Sequence, residues 1–250
     1  MAGFYAAGDA ARTARYSGFM SEPLHTDPSY KAQSAILARA LIIAPFEGWT
    51  AMSLRTAARE AGLPKGADAL YFPGGPLELL GFWAGELDRA AEAHLRGLDL
   101  DAMKIRDKVT AGVTARLEAL SGHEAAARRA AARLALLDAA GQGPAQLWTA
   151  ADTIWRAIGD TSTDANYYSK RAILSAVLGT SLMAWVSDER LDKRQGRAFI
   201  EARINGVMRF ETTKWQVKEA VKDWPHPAEL LGKIGRGGGP RRRRRSGRWN

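Results

Sequence analysis

Asp164, Tyr167, Tyr168 and Arg171 are separated by steps of three and four, so on a helix an acid, two aromatic rings and a guanidinium share one stripe. Such a stripe displays charge and aromatic surface together outside the core. Nothing comparable serves catalysis. The four histidines, His25, His94, His123 and His226, are scattered, with no His-x-x-x-His or Glu-x-x-His pair on a common helical face, so no metal site is expected. Gly179-Thr180-Ser181 lacks the second glycine and the strand-turn-helix setting of a nucleophile elbow; Ser181 reads as a buried serine bonded to its own helix backbone. Gly237 to Gly239 has no strand before it and no lysine and hydroxyl after it to cradle a phosphate. The chain therefore reads as a non-enzyme with no catalytic residue, metal or cofactor.

The elements that must position the stripe are helices. Gly159 and Asp160 break one helical pattern, and Thr161 with Asp164 forms a Thr-x-x-Asp capping box that starts the next. The apolar run Ala172 to Trp185 follows and is expected to be buried. From Tyr30 onward spacings of three and four recur with almost no alternation, which predicts an all-α fold. Ile105, Val109, Val113, Leu117 and Leu120 form one apolar stripe. Leu147, Trp148, Ala151, Ile154, Trp155 and Ile158 form another, after a start signal at Pro144. An alanine-rich segment from His123 to Ala140, with Arg128, Arg129 and Arg133 on one side, is closed by Gly141 to Gly143.

With 250 residues, 46% hydrophobic and 25% charged, the chain can bury a sizeable core. The absence of cysteine excludes disulfides and thiolate chemistry. The longest apolar stretch is interrupted by Ser175, Gly179, Thr180 and Ser181 and is too short to span a bilayer, so a soluble or peripheral protein is expected. Eight of the nine net positive charges come from Lys233, Arg236, Arg241 to Arg245 and Arg248, which leaves residues 1–232 at +1. Nucleic acid is thus not the expected partner of the folded body. Four parts follow: a flexible leader over 1–30, a helix-turn-helix-like unit over 31–83, a helical ligand domain over 84–222, and a basic, disordered tail over 223–250. The leader faintly resembles a transit peptide, with a late start at Met20 or a plain terminus as the blander readings. Trp224, Leu230, Leu231 and Ile234 beside the terminal arginines are suited to an anionic bilayer, or the tail is simply solvated. Trp148, Trp155, Trp185, Phe199, Phe210 and Trp215 either fill a core or wall an apolar pocket.

Between residues 34 and 80, Ser53 is placed to cap a helix through Ala61, and Ala58-x-x-x-Gly62 suits the tight turn of a helix-turn-helix. With Ile36-Leu37-x-x-Ala40, Gly48-Trp49, Lys65-Gly66 and Tyr71-Phe72-Pro73, this unit resembles the amino-terminal domain of TetR-type transcription regulators. Where those regulators place phosphate-binding donors, this chain has Ala67, Asp68, Ala69 and Gly75, and Asp68 opposes a phosphate backbone. A ligand-responsive regulator remains the alternative reading.

A wider resemblance rests on Met103-Lys104-Ile105-Arg106-Asp107-Lys108-Val109, Trp155-x-x-x-Gly159-Asp160-x-Ser162-Thr163-Asp164-x-Asn166-x-Tyr168 with Lys170-Arg171, and Phe199-x-x-x-Arg203-Ile204-x-x-Val207-Met208. These segments resemble the COQ9 family of ubiquinone-biosynthesis accessory proteins. The resemblance implies a TetR-like fold without DNA binding, often homodimeric, with an isoprenoid or quinone-like lipid in the second domain. It also implies a COQ7-type demethoxyubiquinone hydroxylase as partner, docking on Asp164, Tyr167 and Tyr168, with Arg171 completing the stripe. For the lipid the expected wall residues are Leu147, Trp148, Ile154, Trp155, Ile173, Val177, Met183 and Phe199. Burying a polyprenyl chain is worth roughly 25 cal/mol per Å² of apolar surface, so the cavity must be apolar. The terminal amphipathic helix of mitochondrial members has no match in the charged segment Phe210 to Trp224. Alanine and arginine content suggests a GC-rich bacterial genome, hence a cytoplasmic protein peripheral to the inner membrane, or a mitochondrial one in a eukaryote.

Overall fold

Asp27 begins the first helix: its carboxylate accepts a hydrogen bond from Ser29 N–H at 2.9 Å, and Pro28 occupies the first turn, where its missing N–H loses no intrahelical bond. The computed structural model describes residues 27–207, and among them every regular element is helical. Helix α1 (Pro28–Glu47) stops at Gly48, whose φ of 73° suits a residue without Cβ. Helix α2 (Ala51–Glu60) is capped by Thr50, not Ser53; Ser53 sits three residues on and completes the capping box by accepting from the Thr50 N–H at 2.9 Å. The sequence offered two hydroxyls, and the earlier one is extended and free to cap.

Gly62, with φ 75°, turns the chain into α3 (Ala67–Tyr71), a helix of five residues. Helix α4 (Pro76–Arg96) follows and runs through residue 83, so the helix-turn-helix-like unit and the region after it share a helix. Trp83 on α4 stacks on Trp49 with ring centroids 5.4 Å apart, and Trp49 Nε1 donates to the Ala126 carbonyl at 3.0 Å.

The remaining helices are α5 (Ile105–Glu118), α6 (Glu124–Leu134), α7 (Gln142–Ala157), α8 (Ala165–Ser187) and a segment over 194–207, called α9. The alanine-rich helix ends at Leu134, six residues before the expected end, and a 3-10 turn over Leu137–Ala139 fills the gap. Helix α7 begins at Gln142 behind Gly141 in the left-handed region, so Pro144 lies in its first turn rather than opening it. Of the α5 stripe, Val109, Val113 and Leu117 are buried with Leu120, while Ile105 at the first turn is exposed. Only one face of Ala172 to Trp185 is buried: Leu174, Val177, Leu178, Ser181 and Trp185 point inward, and Ala172, Ala176 and Met183 do not. An α-helix cannot bury its whole circumference at the rim of a bundle.

Helix α4 packs on α5 and α7, α7 on α8, and α1 on α6. Ile36, Leu79, Leu95, Leu117, Ile154 and Leu178 form the driest part of the core. Gly112 of α5 is where three helices meet: a Cβ there would lie 2.9 Å from Ile154 and 3.1 Å from Leu95. Ser181 Oγ and Trp185 Nε1 are buried without a hydrogen-bond partner among the described residues, so Ser181 does not bond back to its own helix. The chain divides after Asn205, and of the second unit only Gly206 and Val207 are described. The leader over 1–26, Phe210, Trp215 and the basic tail lie outside the described residues.

Candidate functional site

The loop between α7 and α8 is built by a glycine and an aspartate. Gly159 takes φ 86° and Asp160 N–H returns to the Trp155 carbonyl at 2.9 Å, closing α7. Helix α8 starts with Asp164 as its N-cap, whose Oδ1 accepts from Asn166 N–H at 2.9 Å. Thr161 is therefore not the cap, and the Thr-x-x-Asp box is not formed; the last acid before the helix takes the role, where the N-terminal dipole favours it.

Arg171 is not on the outside. It is 1% exposed and holds α7 and α8 together: Nε donates to Asp152 Oδ1 at 2.6 Å, Nη1 to Asp160 Oδ2 at 3.0 Å and to the Tyr167 carbonyl at 3.3 Å. Its guanidinium carbon lies 3.6 Å from the Tyr167 ring centroid. Burial alone would raise the Asp160 carboxyl, but hydrogen bonds from Lys170, Ser162 and Arg171 outweigh it and hold the group well below the usual carboxylate range. Lys170 Nζ reaches Asp160 Oδ1 at 2.6 Å and Ser162 Oγ at 2.7 Å. Asp152, Asp160 and Lys170 thus belong to the same network; the sequence reading named Asp160 and Lys170 only within the motif and passed over Asp152. Asp152 had one legible signal, an acid one turn before Trp155 on an otherwise apolar face.

The two tyrosines divide the work. Tyr167 is half-buried, and its hydroxyl donates to Asp152 Oδ1 at 3.3 Å, which joins it to the ion network. Tyr168 is 64% exposed. Its ring lies 5.1 Å from that of Tyr167 and 6.3 Å from that of Trp148 on α7. The outcome is an aromatic surface of Trp148 and Tyr168 above a rigid charged base, with exposed Asp164 at its edge.

An apolar cavity of about 320 Å³ is walled in part by residues of the same two helices, those of α8 lying several turns beyond Tyr168. Leu147, Leu182 and Met183 form one wall, α4 supplies Leu80, Trp83 and Leu87, and α6 supplies Ala127, Ala130 and Ala131. Of the residues expected to hold lipid, Leu147 and Met183 line this cavity. Ile154, Trp155 and Val177 are buried in the helix packing, Trp148 and Ile173 are half-buried, and Phe199 lies on α9 near the surface. One charged side chain enters the lining, Arg116, whose Nε donates to Asp88 Oδ1 at 2.6 Å. Burial pushes the Asp88 carboxyl up, and the neighbouring Arg116 only partly opposes this. Among the described residues no group of three or more acids and histidines could hold a metal ion, and no helix is long and apolar enough to cross a membrane.

Residues 140–211 match the family model for COQ9. This segment contains α7, the network and the aromatic surface. Over 192 residues the chain is 29% identical to human ubiquinone biosynthesis protein COQ9, mitochondrial, an alignment covering 74% of this chain and 60% of that protein. The rat protein of the same name is 28% identical over 192 residues, with 74% and 62% covered. The Drosophila melanogaster protein is 25% identical over 183 residues, with 72% and 56% covered. The chain spans about three fifths of the length of these relatives.

Proposed function

We propose, from the premise that this chain belongs to the COQ9 family, that it is an accessory protein of ubiquinone biosynthesis that holds a hydrophobic quinone precursor and presents it to a COQ7-type hydroxylase. The observation that carries the reading is the shared use of α7 and α8. Leu147 lines the apolar cavity while its neighbour Trp148 belongs to the aromatic surface, and on α8 Leu182 and Met183 line the cavity while Tyr168 faces out. A lipid held in this cavity would share α7 and α8 with the surface on which an enzyme would dock. The cavity falls at the small end of the roughly 300–1,000 Å³ typical of ligand pockets, so it suits a ring with a short length of tail rather than a whole polyprenyl chain.

Tyr168 has the character of an interface anchor: a large exposed ring, backed by neighbours that fix its direction. Asp164 and Trp148 extend the contact, while Tyr167 and Arg171 position it from beneath. The protein acts without catalysing the hydroxylation itself, as a homodimer peripheral to the membrane that carries the quinone pool, which is the mitochondrial one if the source is a eukaryote. Native mass spectrometry of the protein purified from membranes would show isoprenoid lipid bound, and a pull-down would retain the hydroxylase for the unaltered chain and lose it for Tyr168→Lys. Salt-sensitive binding to duplex DNA with no bound lipid would overturn the reading in favour of a regulator. The five-residue α3 and its Asp68 speak against that result.

A further inference from the structure

The cavity contains a chemical mismatch. Apart from the Gln146 amide its described walls are alkyl and aromatic, yet Arg116 of α5 is 4% exposed and contributes to the lining. A guanidinium carries five N–H donors. Nε is used by Asp88 at 2.6 Å, and no other hydrogen bond of Arg116 is formed among the described residues. Arg171, also buried, is bonded to two carboxylates and a carbonyl and so has more of its donors in use. A buried guanidinium with idle donors is costly unless something in the space beside it accepts from them.

We infer that Arg116 forms the polar end of the cavity and donates hydrogen bonds from its Nη groups to a neutral ring oxygen of the bound ligand, so that the ligand enters with its ring toward α5. This rests on the lipid-presenting role proposed above and adds to it a head-group contact and an orientation. The choice of a neutral oxygen follows from Asp88. Its carboxylate already faces Arg116, so the pair adds little net charge, and an anionic head such as a phosphate or carboxylate would meet a like charge beside its partner. A quinone carbonyl or methoxy oxygen accepts without that penalty. Gln146, the amide in the lining, is half-buried and is a second group able to meet a ring oxygen.

The test is competitive binding to the full chain, read by native mass spectrometry, between 2-decyl-1,4-benzoquinone and decylbenzene, which share ring and tail and differ in the ring oxygens. The unaltered protein is expected to prefer the quinone by at least about tenfold, the ratio that one charge-assisted hydrogen bond supplies. In the double variant Arg116→Met with Asp88→Leu, which removes both charges together, the preference should fall to about twofold or less while decylbenzene still binds. Should that variant fail to fold, Arg116→Lys keeps the ion pair with fewer donors and should reduce the preference at least threefold, about the factor that one weaker hydrogen bond represents. Equal binding of the two probes by the unaltered protein, an undiminished preference in a folded variant, or tighter binding of decyl phosphate than of the quinone would overturn the inference. Failure of the unaltered protein to bind either probe would overturn the lipid reading beneath it.

Discussion

Arg171 at the α7–α8 corner and Arg116 on the cavity wall are both sequestered from solvent, and they are employed differently. Arg171 spends its donors on Asp152, Asp160 and the Tyr167 carbonyl and stacks on the Tyr167 ring. Arg116 has Asp88 alone. The first holds two helices at fixed register beneath an aromatic surface; the second is left with donors to offer. Within one fold, two buried cations thus differ in how many of their donors the surrounding chain takes up.

The comparison can be broken by mutation. Arg171→Leu removes the three hydrogen bonds of a buried guanidinium, although Lys170 and Arg156 still pair with Asp160 and Asp152, and is expected to destabilise the protein by about 2–4 kcal/mol, read from the urea midpoint; a loss below about 1 kcal/mol would show that the corner tolerates its removal. Arg116→Leu strands one carboxylate that burial already pushes toward the protonated form, so a smaller loss of about 1–3 kcal/mol is expected. Tyr167→Phe removes the hydroxyl from Asp152 and should reduce stability by about 1 kcal/mol. Tyr168→Lys should change stability by no more than about 0.5 kcal/mol, as exposed substitutions do, while abolishing hydroxylase capture. Equal effects of the two tyrosine variants on folding would erase the division between them.

Acid sharpens the same contrast, because the two carboxylates answer pH in opposite directions. Asp160 titrates lower in the folded chain than in the unfolded one. Its stabilisation is therefore full above the unfolded value, about 3.9, and is lost as pH falls below that toward the folded value. Asp88 titrates higher when folded, so its ionisation opposes folding, and that penalty is relieved as pH falls from above its raised value toward about 3.9. Melting curves against pH should consequently diverge in opposite senses: the deficit of Asp160→Asn shrinks in strong acid, whereas that of Asp88→Asn, which leaves Arg116 without a counter-charge, is smaller at neutral pH than in acid.

The helical fold was legible because spacings of three and four persist along the chain, and the break at Gly159 was legible because glycine there serves a left-handed turn. Tyr168 was legible too, as an aromatic with no apolar stripe to join. The burial of Arg171 was not, since its partners Asp152 and Asp160 lie on the preceding helix and in the turn, and periodicity along α8 carries no information about either. The cavity was hidden for a different reason. Its α6 wall consists of Ala127, Ala130 and Ala131, residues that create room by what their side chains lack, whereas the sequence directed attention to large residues such as Ile154 and Trp155 that close up against the core. The capping error at Thr161 arose because several polar residues before α8 can all accept from a helix start, and only backbone conformation selects Asp164.

One consequence of α7 concerns phase. Leu147 and Trp148 are consecutive, about 100° apart around the helix axis, so one short stretch of helix serves both the apolar cavity and the aromatic surface. A single residue inserted ahead of Leu147 would rotate everything before it relative to everything after it by that angle, setting the leucine and tryptophan out of register with the helix's earlier face. Neither side can be retuned by such an insertion without disturbing the other, so the reading frame of one helix is a specification that the cavity and the docking surface hold in common.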